Sequence, residues 1–269
     1  MNKVLRGLFS ILVAAASQTV LADDFGVWTE AGITKKLGNQ GFTVSADLGF
    51  RANNNLKSVD RWSGTIDFGY KACPYVKFGA GYTLLYNYNP SEKKDWYGKT
   101  SGKLKGYKET AAYWRTKHRV FLDVTGMAYL GRFSFSLRER YQMTHQMQMT
   151  VDRMEYSCNK DADGNLILPP VSGESSPDLK GQKSKNYLRS RLEVDYNIRH
   201  SPFTPYASVE ISNNLMNGFS TDKKRLGIGT ELKIAQGQRL SLGYVYQFGY
   251  DDDSDEDMHV IDISYKFKF

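Results

Sequence analysis

Long apolar runs are what this chain most conspicuously lacks. Beyond residue 22 no hydrophobic stretch approaches the roughly 20 residues that a membrane-crossing helix requires, which excludes a multi-pass helical membrane protein. A membrane barrel survives that test, because its strands need only about 9–11 residues of alternating polarity. Proline is scarce at seven, and a chain that is 41% hydrophobic and 13% aromatic is too apolar to be disordered. Two cysteines are too few for a disulfide scaffold, and four histidines leave little imidazole chemistry to search. Neither sign of charge dominates, with 36 basic against 29 acidic side chains, so nothing points to nucleic acid as a partner.

What is present begins with an export pattern. Lys3 and Arg6 precede the apolar stretch from Leu8 to Ala16, and Val20-Leu21-Ala22 offers small residues before Asp23. This reads as a cleavable secretory signal over residues 1–22, followed by a single domain over residues 23–269. Its loss removes Lys3 and Arg6 and lowers the formal charge of +7 by two. Export makes a Cys73–Cys158 disulfide the default expectation. The topology argues against it, because a barrel places a short turn and a long loop at opposite ends, beyond disulfide reach.

The dominant pattern has a period of two. Phe42, Val44, Ala46, Leu48 and Phe50 share one parity, while Thr43, Ser45, Asp47, Gly49 and Arg51 share the other. Trp62 to Tyr70, Val76 to Tyr86, Phe133 to Leu137, Leu188 to Ile198, Leu240 to Tyr250 and Ile261 to Phe269 repeat it. A helix would mix the two sets. Connections alternate as well. Short turns fall at Gly38–Gly41, Cys73-Pro74, Met127–Gly131, Arg199–Phe203 and Ala235–Gln238, and long polar loops at Asn53–Asp60, Asn89–Ala112, Glu155–Ser184, Asn213–Asp222 and Asp251–Asp257.

Together these features predict an all-β, antiparallel, up-and-down transmembrane β-barrel with short periplasmic turns and long extracellular loops in a Gram-negative outer membrane. The patterns count about 11 strands, whereas bacterial barrels carry an even number, so roughly 10–12 are expected and 12 favoured. Either Asn89–Ala112 hides a strand, or Phe25–Leu37 is not an ordinary first strand. The soluble rival is a lipocalin-like or sandwich domain whose apolar parity would point into a core. Tyr and Phe near strand ends favour the membrane barrel, as interfacial girdles do.

The closing residues Tyr265, Phe267 and Phe269 form an alternating aromatic strand that ends on Phe and looks like the membrane-insertion signal read by the barrel assembly machinery. The stretches 133–142 (FSFSLRERYQ), 186–198 (NYLRSRLEVDYNI) and 203–211 (FTPYASVEI) resemble the uncharacterised outer-membrane barrel family catalogued as domain of unknown function 2490. That resemblance covers most of the chain after the signal. It implies one barrel domain in contact with outer-membrane lipid and lipopolysaccharide, and it supplies no activity, cofactor or catalytic residue.

Small membrane barrels include hydrolases, whose catalytic patterns have recognisable spacings. No histidine has a serine two residues later, and His200-Ser201 are adjacent and fall on opposite faces of a strand. Asp257-Met258-His259 looks like an omptin dyad, but strand parity sends His259 outward. The acidic run Asp251–Asp257 lacks the spacing of a calcium loop, and Asp161-Ala162-Asp163-Gly164 puts its glycine too early for an EF-hand. Met143, His145, Met147 and Met149 share a parity suited to copper, which a strand protruding past the membrane explains as well. Gly79-Ala80-Gly81 and Gly227-Ile228-Gly229 have no following helix, and relief of lumen crowding explains them. No metal site, cofactor or catalytic residue is expected.

What remains is the polar parity. The expected lumen lining is Arg51, Arg61, Asp67, Arg119, Asp123, Arg132, Arg138, Arg140, Arg189, Arg191, Glu193, Asp195, Glu210, Glu231, Arg239 and Asp262, with Lys71, Lys77, Asp47 and Arg225 on the same faces. Such a lining makes either a narrow porin-like passage with a mild anion preference or an interlocked, ion-paired plug. A non-enzymatic channel, transport accessory or structural barrel is therefore the primary expectation. The alternatives are a rim-acting lipid or peptide hydrolase, and an adhesin using the loops at Lys93–Lys108 and Asp251–Asp257. Oligomeric state is not legible.

Overall fold

The computed structural model describes residues 24–38, 40–97, 104–160, 166–248 and 257–269. The expected signal segment and the acidic residues Asp251 to Glu256 lie outside them, as do Asp161 and Asp163. In chain order the strands are β1 (Asp24–Leu37), β2 (Phe42–Asn53), β3 (Ser58–Cys73), β4 (Val76–Asn89), β5 (Glu92–Tyr97), β6 (Leu104–Thr110), β7 (Tyr113–Leu130), β8 (Phe133–Gln146) and β9 (Met149–Val151). They continue as β10 (Arg153–Lys160), β11 (Leu166–Ser175), β12 (Asp178–Lys180), β13 (Lys183–Tyr196), β14 (Phe203–Asn214), β15 (Ser220–Ala235), β16 (Gln238–Phe248) and β17 (Met258–Lys268). The chain divides into a unit of residues 1–85, 118–144 and 185–269 and a second unit of residues 86–117 and 145–184.

The first unit is a closed barrel of 11 strands in the order β1-β17-β16-β15-β14-β13-β8-β7-β4-β3-β2. Eleven lies within the expected 10–12, but the favoured 12 does not hold, nor does the assumption that closure demands an even number. When each strand runs opposite to its neighbour, an odd ring must contain one parallel seam. Here β1 pairs with β17 in parallel, from Asp24↔Met258 to Thr34↔Lys268. Phe25–Leu37 is thus the extraordinary first strand. Two expected long loops also shrink because their flanking strands run on. Residues 54–57 join β2 to β3 through Asn54, Asn55 and Leu56 at positive φ, and residues 215–219 join β14 to β15.

Exposure separates the two parities. Leu48 is 72% exposed, Leu122 61%, Ile228 61% and Phe68 59%, all on the apolar parity. Polar side chains are sheltered instead: Asp123, Gln142, Glu210, Ser212 and Gln247 are all buried. Among the described residues the buried apolar side chains are only Ala52, Leu85, Phe121, Val151 and Val260. A soluble sandwich or lipocalin has the reverse arrangement, with aliphatic and aromatic side chains packed together away from water. The outward apolar wall excludes it.

Glycines let inward side chains lie against the wall. A Cβ on Gly81 would stand 2.3 Å from the Phe121 ring, and one on Gly229 would stand 2.6 Å from that of Tyr206. Gly79 is likewise filled by the Asp123 carboxylate, 2.5 Å from an added Cβ. The glycine pairs thus accommodate neighbouring bulk.

The second unit is built from what reads in sequence as polar loops. Its strands form a four-stranded sheet, β11-β10-β6-β5, and a two-stranded sheet, β12-β9. Asn89–Ala112 therefore does hide strands, two of them, and neither enters the barrel. Cross-strand side chains hold the larger sheet: Tyr107 stacks on Tyr156 at 4.7 Å, Lys93 lies 3.6 Å over Tyr107, and Lys108 pairs with Glu155 at 2.5 Å. Hydrogen bonds from Lys108 and Ser176 hold the Glu155 carboxyl below the usual carboxylate range, and a bond from Lys180 does the same for Asp178. Arg115 is buried and donates to the carbonyls of Met147, Lys180 and Gly181, tying the β9–β12 pair to the start of β7. Cys73 and Cys158 are both free thiols.

Candidate functional site

Charged side chains from many strands converge in the barrel interior. Glu210, on β14, is its keystone. Its carboxylate accepts from Arg189 of β13 at 2.5 Å and from Arg225 of β15 at 3.0 Å, and Arg138 of β8 stands 3.5 Å away. Register places Arg225 directly opposite Glu210 and Arg189 on the diagonal, two residues from the direct β13 partner Arg191. Arg189 also donates to Gln142, and Arg225 donates to its own cross-strand partner Gln247. A second pair, Arg140 and Asp123, closes at 2.6 Å with two guanidinium nitrogens on one carboxylate oxygen. The Arg140 guanidinium lies 4.0 Å over the Phe121 ring.

A more basic region follows toward the β2–β3 turn. Trp28, Arg51 and Arg61 are in register across β1, β2 and β3. Arg51 covers the Trp28 indole at 3.9 Å, and Arg225 approaches the same ring at 5.0 Å. Arg51 is the cross-strand neighbour of Trp28 on β2, whereas two strands separate β1 from β15, so Arg225 reaches that ring across the concave side. Arg119 donates to Thr144 at 3.1 Å. The acidic residues Asp47, Asp67, Glu193, Asp195 and Glu231 sit closer to the short-turn ends of their strands, where Glu193 pairs with Arg191 at 2.5 Å and Asp195 accepts from Ser134.

Of the residues expected to line the lumen, Arg51, Arg61, Arg119, Asp123, Arg138, Arg140, Arg189 and Glu210 are brought together in or beside this network. Asp67 and Asp262 are half-buried on the same faces of β3 and β17. Two do not belong. Arg132 is exposed in the turn between β7 and β8, and Arg239 is 59% exposed at the start of β16, where it pairs with Glu231 at 2.6 Å. Parity continues to the end of a strand, whereas shelter stops short of it. Trp28, Gln142 and Gln247 escaped the charge pattern, although all three follow the inward parity. The outward parity also carries polar pairs: Glu139 sits between Leu137 and Tyr141 and accepts from Ser190 at 2.6 Å, and the Tyr82 hydroxyl meets His118 Nδ1 at 2.6 Å.

The hydrolytic alternatives find little support here. His145 Nδ1 meets Ser184 Oγ at 2.9 Å, a pairing that an i,i+2 search cannot find, but among the described residues no carboxylate is bonded to His145. Asp257 accepts from the Tyr246 hydroxyl, and His259 Nδ1 meets the Tyr244 hydroxyl at 2.5 Å, so each member of that pair engages a tyrosine. Among the described residues no cluster of histidine, cysteine and carboxylate side chains can hold a metal ion.

Two solved structures share the general architecture at low identity. The β domain of the Bordetella autotransporter BrkA is 12% identical, with 85% of this chain and 82% of that one covered and a TM-score of 0.46. The translocator domain of the autotransporter NalP from Neisseria meningitidis is also 12% identical, with 94% and 91% covered and a TM-score of 0.48. At such identity and score the architecture rests on this chain's own strand pairing. No curated protein matches the sequence. One family profile does, over residues 25–258, and the chain belongs to that family, described as "Protein of unknown function (DUF2490)".

Proposed function

We propose that this protein is an outer-membrane β-barrel whose interior is a narrow, anion-preferring passage for small solutes. The observation that carries the reading is the division of the wall, with aliphatic and aromatic side chains exposed outside and guanidinium groups crowded within. Exposed apolar surface on that scale is stable in lipid and a liability in water. A polar interior with more arginine than carboxylate favours anions as they cross. The export pattern at residues 1–22 and the aromatic closing strand with Tyr265, Phe267 and Phe269 support delivery to the outer membrane through the barrel assembly machinery. Lipid and lipopolysaccharide are then the surroundings of the outer wall.

The test is single-channel conductance of the refolded chain, residues 23–269, in planar bilayers under a salt gradient. The expected result is a steady conductance whose reversal potential indicates anion preference, with that preference reduced in an Arg138→Ala, Arg191→Ala variant. Absence of conductance from a folded, heat-modifiable barrel overturns the passage.

A further inference from the structure

We propose that the arginines nearest the β2–β3 turn form a binding site for a phosphate-class oxyanion, a deepening that rests on the reading of the barrel interior as accessible to small solutes. Five guanidiniums gather there, from Arg51, Arg61, Arg119, Arg189 and Arg225, on five different strands. The charged groups acting most strongly on Arg51 are Arg61, Arg225, Asp60 and Arg119, and those acting on Arg119 are all arginines: Arg61, Arg189, Arg225 and Arg140. Glu210 is committed to Arg189, Arg225 and Arg138. Among the described residues Asp60 ion-pairs with Arg61 alone, at 3.3 Å, and Asp262 reaches Arg51 from beyond ion-pair distance.

This leaves a definite deficit of negative charge. Among the described residues no carboxylate forms an ion pair with Arg51 or Arg119. Arg51 and Arg61 stand directly opposite each other in register, an arrangement that like charges disfavour. Arg61 Nε and Arg189 Nε are buried without any hydrogen-bond partner. Buried donors left unpaired are costly, and natural interiors rarely keep them without a bound water or ion to complete them. Several planar forks around one space match the oxygens of a dianionic tetrahedral group better than they match chloride, since each fork can donate two parallel bonds. Trp28 forms one side of this space, and the guanidinium on its face is among those an anion would draw away.

Inorganic phosphate is the probe. Calorimetric titration of the refolded chain in detergent is expected to show saturable phosphate binding that excess chloride at matched ionic strength does not reproduce. Arg51→Gln and Arg119→Gln should each weaken it about tenfold, the equivalent of one charge-assisted hydrogen bond. Arg239→Gln, at the far end of the barrel, should leave it unchanged. Heat-modifiable gel migration identifies folded variants. If either of those two variants fails to fold, the site is judged on the other and on Trp28 emission, which should change on phosphate addition. Phosphate binding equal in all folded variants, or no saturable binding by the folded wild type, overturns the site. Conductance without phosphate binding removes the site and leaves the passage; binding without conductance does the reverse.

Discussion

Glu210 offers the sharpest test of how the barrel interior is held. Its carboxylate is only 7% exposed and bridges Arg189 at 2.5 Å and Arg225 at 3.0 Å, with Arg138 beside it. In Glu210→Gln the shape persists, but one charge is lost and three cations remain around a neutral amide. Hydrogen bonds between charged partners contribute about 1.5–3 kcal/mol each, so two give roughly 3–6 kcal/mol. Interior water resolvates part of the released charge, which places the expected loss near the lower end, about 3 kcal/mol, consistent with breaking a buried ion pair from one side. For a chain of this size that corresponds to roughly 6–12 °C in midpoint. The assay is unfolding of the barrel in lipid vesicles, followed by denaturant titration and by the temperature at which gel mobility shifts. Adding Arg225→Gln to Glu210→Gln should recover part of the loss, because the two residues are in contact. A Glu210→Gln variant within about 0.5 kcal/mol of wild type would refute the keystone role, since that is the range of an ordinary surface substitution.

Two further outcomes follow from features of the wall and of the second unit. Leu48→Arg puts a charge near the middle of the apolar outer face and should cost about 2–4 kcal/mol in bilayers, measured by the same vesicle unfolding; a neutral result is incompatible with lipid contact at that position. In the second unit, Glu155 of the four-stranded sheet and Asp178 of the β9–β12 pair titrate below their ordinary values, so the stability they contribute is fully present above those values and is lost as pH falls through the lower ones. Amide-exchange protection of β6 and β10 should therefore hold from neutral pH to about 5 and decline only below about 4; loosening between pH 7 and 5 would contradict the assignment.

Much of the barrel is legible in sequence because a half-lipid, half-water wall writes itself as alternation. Phe42 to Phe50 and Leu240 to Tyr250 state their faces residue by residue. The alternating segments themselves count about 11, within the expected 10–12; only the favoured 12 is wrong, because evenness is a property of closure rather than of any segment. The seam Asp24↔Met258 joins residues from the two ends of the chain, and no local pattern records it. The second unit was missed for a different reason. Lys93–Lys108 lacks an apolar parity, and its strands are stabilised by partners such as Tyr156 and Glu155, about fifty residues away, rather than by a buried face. In the interior, parity identifies the arginines, whereas only the folded arrangement brings three of them, Arg138, Arg189 and Arg225, to Glu210, while among the described residues no carboxylate ion-pairs with Arg51 or Arg119.

The parallel seam gives the barrel a direction that an even-stranded one lacks. The paired stretch from Asp24↔Met258 to Thr34↔Lys268 advances ten residues, roughly 33 Å along the strands. The first and last residues of the wall consequently stand at opposite rims, separated by about the thickness of a bilayer's hydrocarbon core. A short linker cannot join them, so the wall cannot be cut and reclosed elsewhere by circular permutation. Epitopes fused at the two ends would report on the two different faces of whatever membrane holds it.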